Sequence, residues 1–163
     1  IIGGAIGLLL FAKRHKLNIK KLFDATVVGL PLAQAIGSWG NFFNSEAFGS
    51  PTELPWKLYI APQYRPIPYQ NNQFFHPTFL YECILDIIIF VVLYFVVKNN
   101  KIKKDGNLVL LYLFLYSIVR IIVESYRIDS VKYVLGLPVA IFVSVGIIVL
   151  SIILFLINNK QRS

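Results

Sequence analysis

The chain has no methionine, a single cysteine and only two histidines in 163 residues. Lacking an initiator, it reads as a fragment or processed chain, with helices upstream of Ile1 expected to be missing. Cys83 stands alone inside an apolar run, which excludes a disulfide framework and a thiolate metal site and marks it as a small buried hydrophobe. HExxH, GxSxG, Walker A, GxGxxG and Cys/His metal spacings are all absent, which argues against metalloproteases, serine hydrolases and nucleotide-driven machines. No metal and no other cofactor is called for.

What the chain has in abundance is apolar surface. Hydrophobic residues make up 56% of it, and the mean hydropathy is +0.66, well above that of a soluble domain of this length. An integral membrane protein follows. A net charge of +8 would suggest nucleic acid in a soluble protein, but here the charges form short clusters between apolar runs. That is the pattern of the positive-inside rule, and nucleic acid is not expected as a partner.

The apolar runs predict an all-α, polytopic helix bundle forming one transmembrane domain. Residues 1–12 would extend only about 18 Å, short of a hydrocarbon core of roughly 30 Å, and so read as a half-helix. Full spans are expected at about 22–41 (kinked at Pro31, with Gln34 facing inwards), 78–97, 107–126 and 137–157. The segment 13–21 carries five basic residues and reads as a cytoplasmic loop. Residues 44–75 are rich in proline, tyrosine and amides, too polar to span, and are expected to form an extracytoplasmic loop or small cap. A short outer loop is expected at 127–136. The three inner segments hold eleven of the sixteen basic residues, which sets one orientation with the C-terminus in the cytoplasm.

Three constellations break the apolar pattern. The first is Gly37 to Gly49, where Asn41, Asn44 and Glu46 lie at the outer end of an apolar run. Hydrocarbon cannot solvate such groups, so they must bond protein or a polar ligand. The second is Tyr116, Arg120 and Glu124, which spacings of four place on one helix face. Arg120 lies about 18 Å from Leu108, within the outer half of the core. A guanidinium there costs roughly 2.5 to 3.5 kcal/mol, and a close anion at an effective dielectric near 20 returns about 4 kcal/mol. That anion is either Glu124, as a structural pair, or a lipid phosphate held by paired hydrogen bonds. The third is His76 with Glu82 and Asp86. His76, before Pro77, is expected at a helix N-cap, as a plain cap or as a base or relay. Each carboxyl, a turn apart within the membrane, needs a proton or a partner.

Together these stretches resemble the prolipoprotein diacylglyceryl transferase family. The likeness runs through Gly3 to Gly7, Gln34 to Gly49, His76 to Glu82, and Tyr116 through Arg120 to Glu124. The second stretch is similar to the family signature, and the others support it. The resemblance implies a multi-pass enzyme of the bacterial cytoplasmic membrane with its site facing the outer leaflet. It would move the diacylglyceryl group of phosphatidylglycerol onto the lipobox cysteine of prolipoproteins, so its partners would be phosphatidylglycerol, prolipoprotein signal peptides and membrane lipids. By the same resemblance Asn41, Glu46, Gly49, Tyr116, Arg120 and Glu124 match lipid-binding or catalytic positions. The family carries an arginine where this chain has Ser38, as half of a cationic clamp on the phosphate. Physically, Asn44 adds a headgroup contact, Arg120 holds the phosphate, and His76 is a candidate base for a thiol of pKa near 8.5. A non-enzymatic lipid-binding or transport bundle is the competing reading.

Overall fold

A computed structural model of the chain describes residues 2–128, 133–134 and 136–160. Among the described residues it is an all-α bundle of six helices with two short β pairs. The helices are α1 (Ile2–Arg14), α2 (Ile19–Val27), α3 (Leu30–Phe43), α4 (Thr78–Lys98), α5 (Asn107–Tyr126) and α6 (Val139–Lys160). Helices α4, α5 and α6 are long and apolar enough to cross a membrane, with mean hydropathies of 2.5, 2.0 and 3.1 over their best windows. Only 22%, 33% and 11% of those windows is buried within the chain. Outward-facing Ile87, Ile88, Val91, Phe142, Leu150 and Leu156 would be costly in water, whereas lipid solvates them.

The expected single span over 22–41 is instead two helices broken at Val28 and Gly29. The cause is Pro31, the second residue of α3. It has no N–H to donate four residues back, to Val27, and its ring crowds that carbonyl, so α2 stops there instead of kinking. The basic loop is likewise shorter than 13–21. Helix α1 runs on through Lys13 and Arg14, whose charges complement its C-terminal dipole. Asn18 caps α2, accepting from the Lys20 and Lys21 amides, so those lysines begin a helix and do not lie in a loop. The last helix starts after Pro138, because Leu137–Pro138 (β4) pairs with Tyr133–Val134 (β3). The expected loop over 127–136 falls only partly within the described residues, as do the chain ends with Ile1 and Arg162.

Packing runs in a row: α3 on α4, α4 on α5, and α5 on α6, with α2 lying on both α1 and α5. The main core joins Val27, Ile89, Leu93, Leu108, Tyr112, Val119 and Val123. The segment 44–75 has its own small core of Phe48, Ile60 and Phe75, closed by the antiparallel pair Leu58–Tyr59 (β1) and Phe74–Phe75 (β2).

At the opposite end, the turns before α2 and α5 meet the end of α6. Asn18 donates to Asp105 (2.9 Å), Asn158 donates to Asn107 (2.7 Å), and Lys104 reaches the Asn159 carbonyl (3.0 Å). Gly106, at φ 89°, occupies the N-cap of α5 and has no side chain to cap with. Asp24 of α2 caps it from outside, accepting from the Gly106 amide (2.6 Å) and the Val109 amide (3.0 Å). Charge-assisted bonds of this kind carry about 1.5 to 3 kcal/mol each. Asp24→Ala is therefore expected to lower the unfolding temperature in detergent, with Asp24→Asn intermediate; equal stability of all three proteins would refute the capping role.

Candidate active site

Helix α3 ends at Phe43, and the chain then turns sharply, with the Glu46 amide bonding the Asn41 carbonyl (3.0 Å) and with Ser45 and Ala47 both at φ 54°. Asn44 closes the turn by donating its side-chain amide to Glu46 Oε1 (3.0 Å). Asn41, Asn44 and Glu46 thereby line one polar cleft of about 750 Å³, whose far wall carries Arg65 and Arg127. Arg65 is fixed by bonds to the Ile60 (2.8 Å) and Gln70 (3.0 Å) carbonyls. Ser38, one turn earlier, is buried and bonds the Ala35 carbonyl (2.9 Å) of its own helix.

Gly49 leads out of this turn as a backbone strut. Its amide bonds the His76 carbonyl (2.9 Å), the Ser50 amide bonds Tyr126 (2.8 Å), and the His76 amide bonds Ser50 (3.0 Å). A β-carbon here would lie 2.7 Å from His76 Cβ and 3.0 Å from the Tyr126 carbonyl oxygen. The close approach itself requires glycine, so this residue reaches the site through backbone.

His76 does not cap α4. Pro77 takes the N-cap position at φ −77°, ψ 73°, the centre of an inverse γ-turn closed by the Thr78 amide on the His76 carbonyl (2.9 Å). The imidazole is thereby displaced from the helix end and bonds Tyr81 through Nδ1 (3.0 Å), flanked by the Tyr126 ring at 5.2 Å. With Trp56, Leu80, Tyr81, Ile122 and Tyr126 it lines a second cavity, of about 620 Å³ and mostly apolar.

Arg120 lies between two carboxylates. Nη2 is 2.9 Å from Glu124 on its own helix, and Nη1 is 3.6 Å from Glu82 on α4. Its side chain remains 25% exposed, against 6% for Glu124. Asp86 is wholly buried, and neither of its oxygens has a hydrogen-bond partner among the described residues. Tyr116 stacks on Tyr112, whose hydroxyl donates to Gln34 on α3 (2.7 Å).

The residues singled out from sequence therefore fall into three neighbouring groups. Asn41, Asn44 and Glu46 share the polar cleft; Arg120 and Glu124 share an ion-pair cluster with Glu82; His76 belongs to an aromatic cluster. Arg120 is not among the residues lining the polar cleft. Two contributors had no sequence signal. Arg65 lies in an irregular loop, and Trp56 meets Tyr81 only through the folded cap.

A polytopic helical membrane protein with amides, arginines and carboxylates gathered beside an apolar cavity is the class that fold and site define. Comparison of sequences is more specific: a model of the prolipoprotein diacylglyceryl transferase family matches residues 1–157, and the chain belongs to that family. Similar proteins include the phosphatidylglycerol–prolipoprotein diacylglyceryl transferase of Synechocystis sp., 43% identical over 93% of this chain and 54% of that protein. Those of Thermotoga maritima (42%, covering 99% of this chain and 57% of the relative) and Acaryochloris marina (45%, 80% and 47%) agree. The chain thus spans about half the length of these relatives.

Gly49→Ala is expected to destabilise the protein by about 1 to 3 kcal/mol, the range for overpacking. Thermal unfolding of the purified protein checks this, and an unchanged midpoint would exclude the tight approach to His76.

Proposed function

We propose that this chain forms the lipid- and acceptor-binding part of a phosphatidylglycerol–prolipoprotein diacylglyceryl transferase, which carries out the first step of bacterial lipoprotein maturation. In this reaction the thiol sulfur of the lipobox cysteine attacks the glyceryl carbon that bears the phosphate. A C–S bond forms, the C–O bond to phosphate breaks, and glycerol phosphate leaves with the electron pair while the thiol proton passes to a base.

The observation that carries the reading is Arg120, a partly exposed guanidinium oriented by Glu82 and Glu124 at the same end of the bundle as the Asn41, Asn44 and Glu46 cleft. The phosphate gains negative charge as it leaves. A preorganised cation therefore stabilises the departing group more than the bound lipid, which is the condition for catalysis. Asn41 and Asn44 offer amides to headgroup oxygens, Glu46 orients Asn44, and Gly49 shapes the wall behind them. Tyr116 lies one turn inward of Arg120, and Ser38 one turn inward of Asn41.

The site is read as facing the outer leaflet of the bacterial cytoplasmic membrane, with the C-terminus inside. Support comes from Lys13 and Arg14 ending α1, Lys98 ending α4 and Lys160 ending α6, while the cap stands at the other ends of α4 and α5. Signal peptides would approach from the bilayer together with the lipid.

In the full-length protein, Arg120→Ala and Asn41→Ala are each expected to abolish transfer from phosphatidylglycerol to a lipobox peptide without impairing membrane insertion. Normal activity of Arg120→Ala would end the phosphate-clamp role. Ser38→Arg is expected to raise turnover in the same assay, by adding a cation one turn from Asn41 to the charge that Arg120 supplies; no increase would show that transfer does not need a cation at this position. Release of glycerol phosphate separates this reading from a lipid-binding or transport bundle, which would yield none.

A further inference from the structure

Trp56 of the cap joins His76 and Tyr81, five residues apart at the start of α4, in a hydrogen-bonded line beside the apolar cavity. Trp56, from the cap, places Nε1 3.0 Å from the Tyr81 hydroxyl oxygen, and the same oxygen lies 3.0 Å from His76 Nδ1. All three residues line the cavity. The direction of this line can be worked out from its members. An indole nitrogen is a donor only, so Tyr81 accepts from Trp56. Tyr81 then has one proton to place, and the neighbouring ring nitrogen is available to take it. If His76 donated through Nδ1 instead, the phenol would accept twice and its own O–H would be left without a partner among the described residues.

We propose that Trp56 and Tyr81 are positioning residues that hold the neutral His76 ring with Nδ1 as acceptor and Nε2 as N–H donor. The inference rests on the transferase reading for its functional consequence. With Nδ1 occupied and Nε2 protonated, His76 has no free lone pair with which to take the thiol proton. Its part in the reaction is to donate a hydrogen bond from Nε2 to the negative charge that develops on an oxygen of the leaving phosphate. The thiol proton is then accepted by another group. The rings add rigidity, since Tyr81 and Tyr126 contact His76 and one another at centroid distances of 6.0, 5.2 and 5.9 Å. This orientation is fixed before substrate arrives, which is how a donor contributes without reorganisation during the reaction.

The test uses the full-length protein labelled with ¹⁵N-histidine and reconstituted in phosphatidylglycerol-containing bilayers, the His76 signals being assigned by their loss in His76→Gln. Wild type is expected to show an unprotonated Nδ1 and a protonated Nε2 as one tautomer. Tyr81→Phe keeps the aromatic ring and removes the hydroxyl, and should give a mixture of tautomers. Trp56→Phe leaves Tyr81 free to accept from His76, so the opposite tautomer should gain population. A protonated Nδ1 in wild type, or spectra unchanged by both substitutions, would overturn the proposal. In the lipidation assay Tyr81→Phe should lower kcat about 2- to 12-fold, the range carried by one neutral hydrogen bond, with KM for phosphatidylglycerol unchanged. Unaltered kcat with altered tautomers would overturn the functional half. Absence of glycerol phosphate release by wild type would instead sink the transferase reading and leave the spectroscopic result standing.

Discussion

A guanidinium held between carboxylates on two helices links α5 to α4 at the candidate site. Arg120 contacts Glu124 on α5 and Glu82 on α4, so its charge favours the rotation and register that bring these two helices' polar groups together. Apolar packing cannot do this alone, because lipid tails solvate an aliphatic helix face as well as a neighbouring helix does. Once α4 is set, its other face receives α3, and the turn after Phe43 is carried to its place beside the cap. The same contact limits the electrostatics. Glu82 and Glu124 are two acids on one cation, so no surplus of positive charge at Arg120 draws a phosphate inward. Recognition must come from directed N–H groups, which is the particular capacity of arginine over lysine.

The two ends of the bundle are closed by different means that serve the same purpose. At one end, side chains of Asn18, Asp24, Lys104, Asn107 and Asn158 knit loops to helix ends. At the other, backbone does the joining: the strand at Gly49 and Ser50 bonds both His76 and Tyr126, tying the start of α4 to the end of α5. A side chain at Gly49 would push these apart. The glycine at the end of the signature thus holds His76 near the cap, and the site depends on a residue that offers it no side chain.

Much of this could be read along the chain wherever the cause is local. Helix α5 occupies the residues of its apolar run, and the pairing of Arg120 with Glu124 follows from a spacing of four. Reading failed where the cause acts at a distance. Helix α2 ends four residues ahead of the proline responsible for the break. His76 reads as a cap because histidine before proline often precedes a helix, but the inverse γ-turn at Pro77 moves it one place out. The contact of Arg120 with Glu82 needs the α4–α5 register, and the Trp56–Tyr81–His76 line needs the folded cap. Neither register nor cap has a period that a linear pattern can display.

The arginines differ in what their donors already serve, and this sorts their roles in the proposed reaction. Arg65 gives Nε and Nη1 to two loop carbonyls, so it braces the wall of the cleft, with Nη2 outside those two bonds. Arg127 joins the same wall where its backbone pairs with Gly49, so its place follows the strut. Among the described residues Arg120 is held by carboxylates, through charge, and a phosphate oxygen can take the place of a carboxylate oxygen on the same N–H groups. Ser38 has turned its hydroxyl to the Ala35 carbonyl and brings no charge. In the proposed reaction Arg120 is thus the candidate to meet the growing charge of a leaving phosphate, and the carboxylates that keep it in place would set how much of its attraction remains for the lipid.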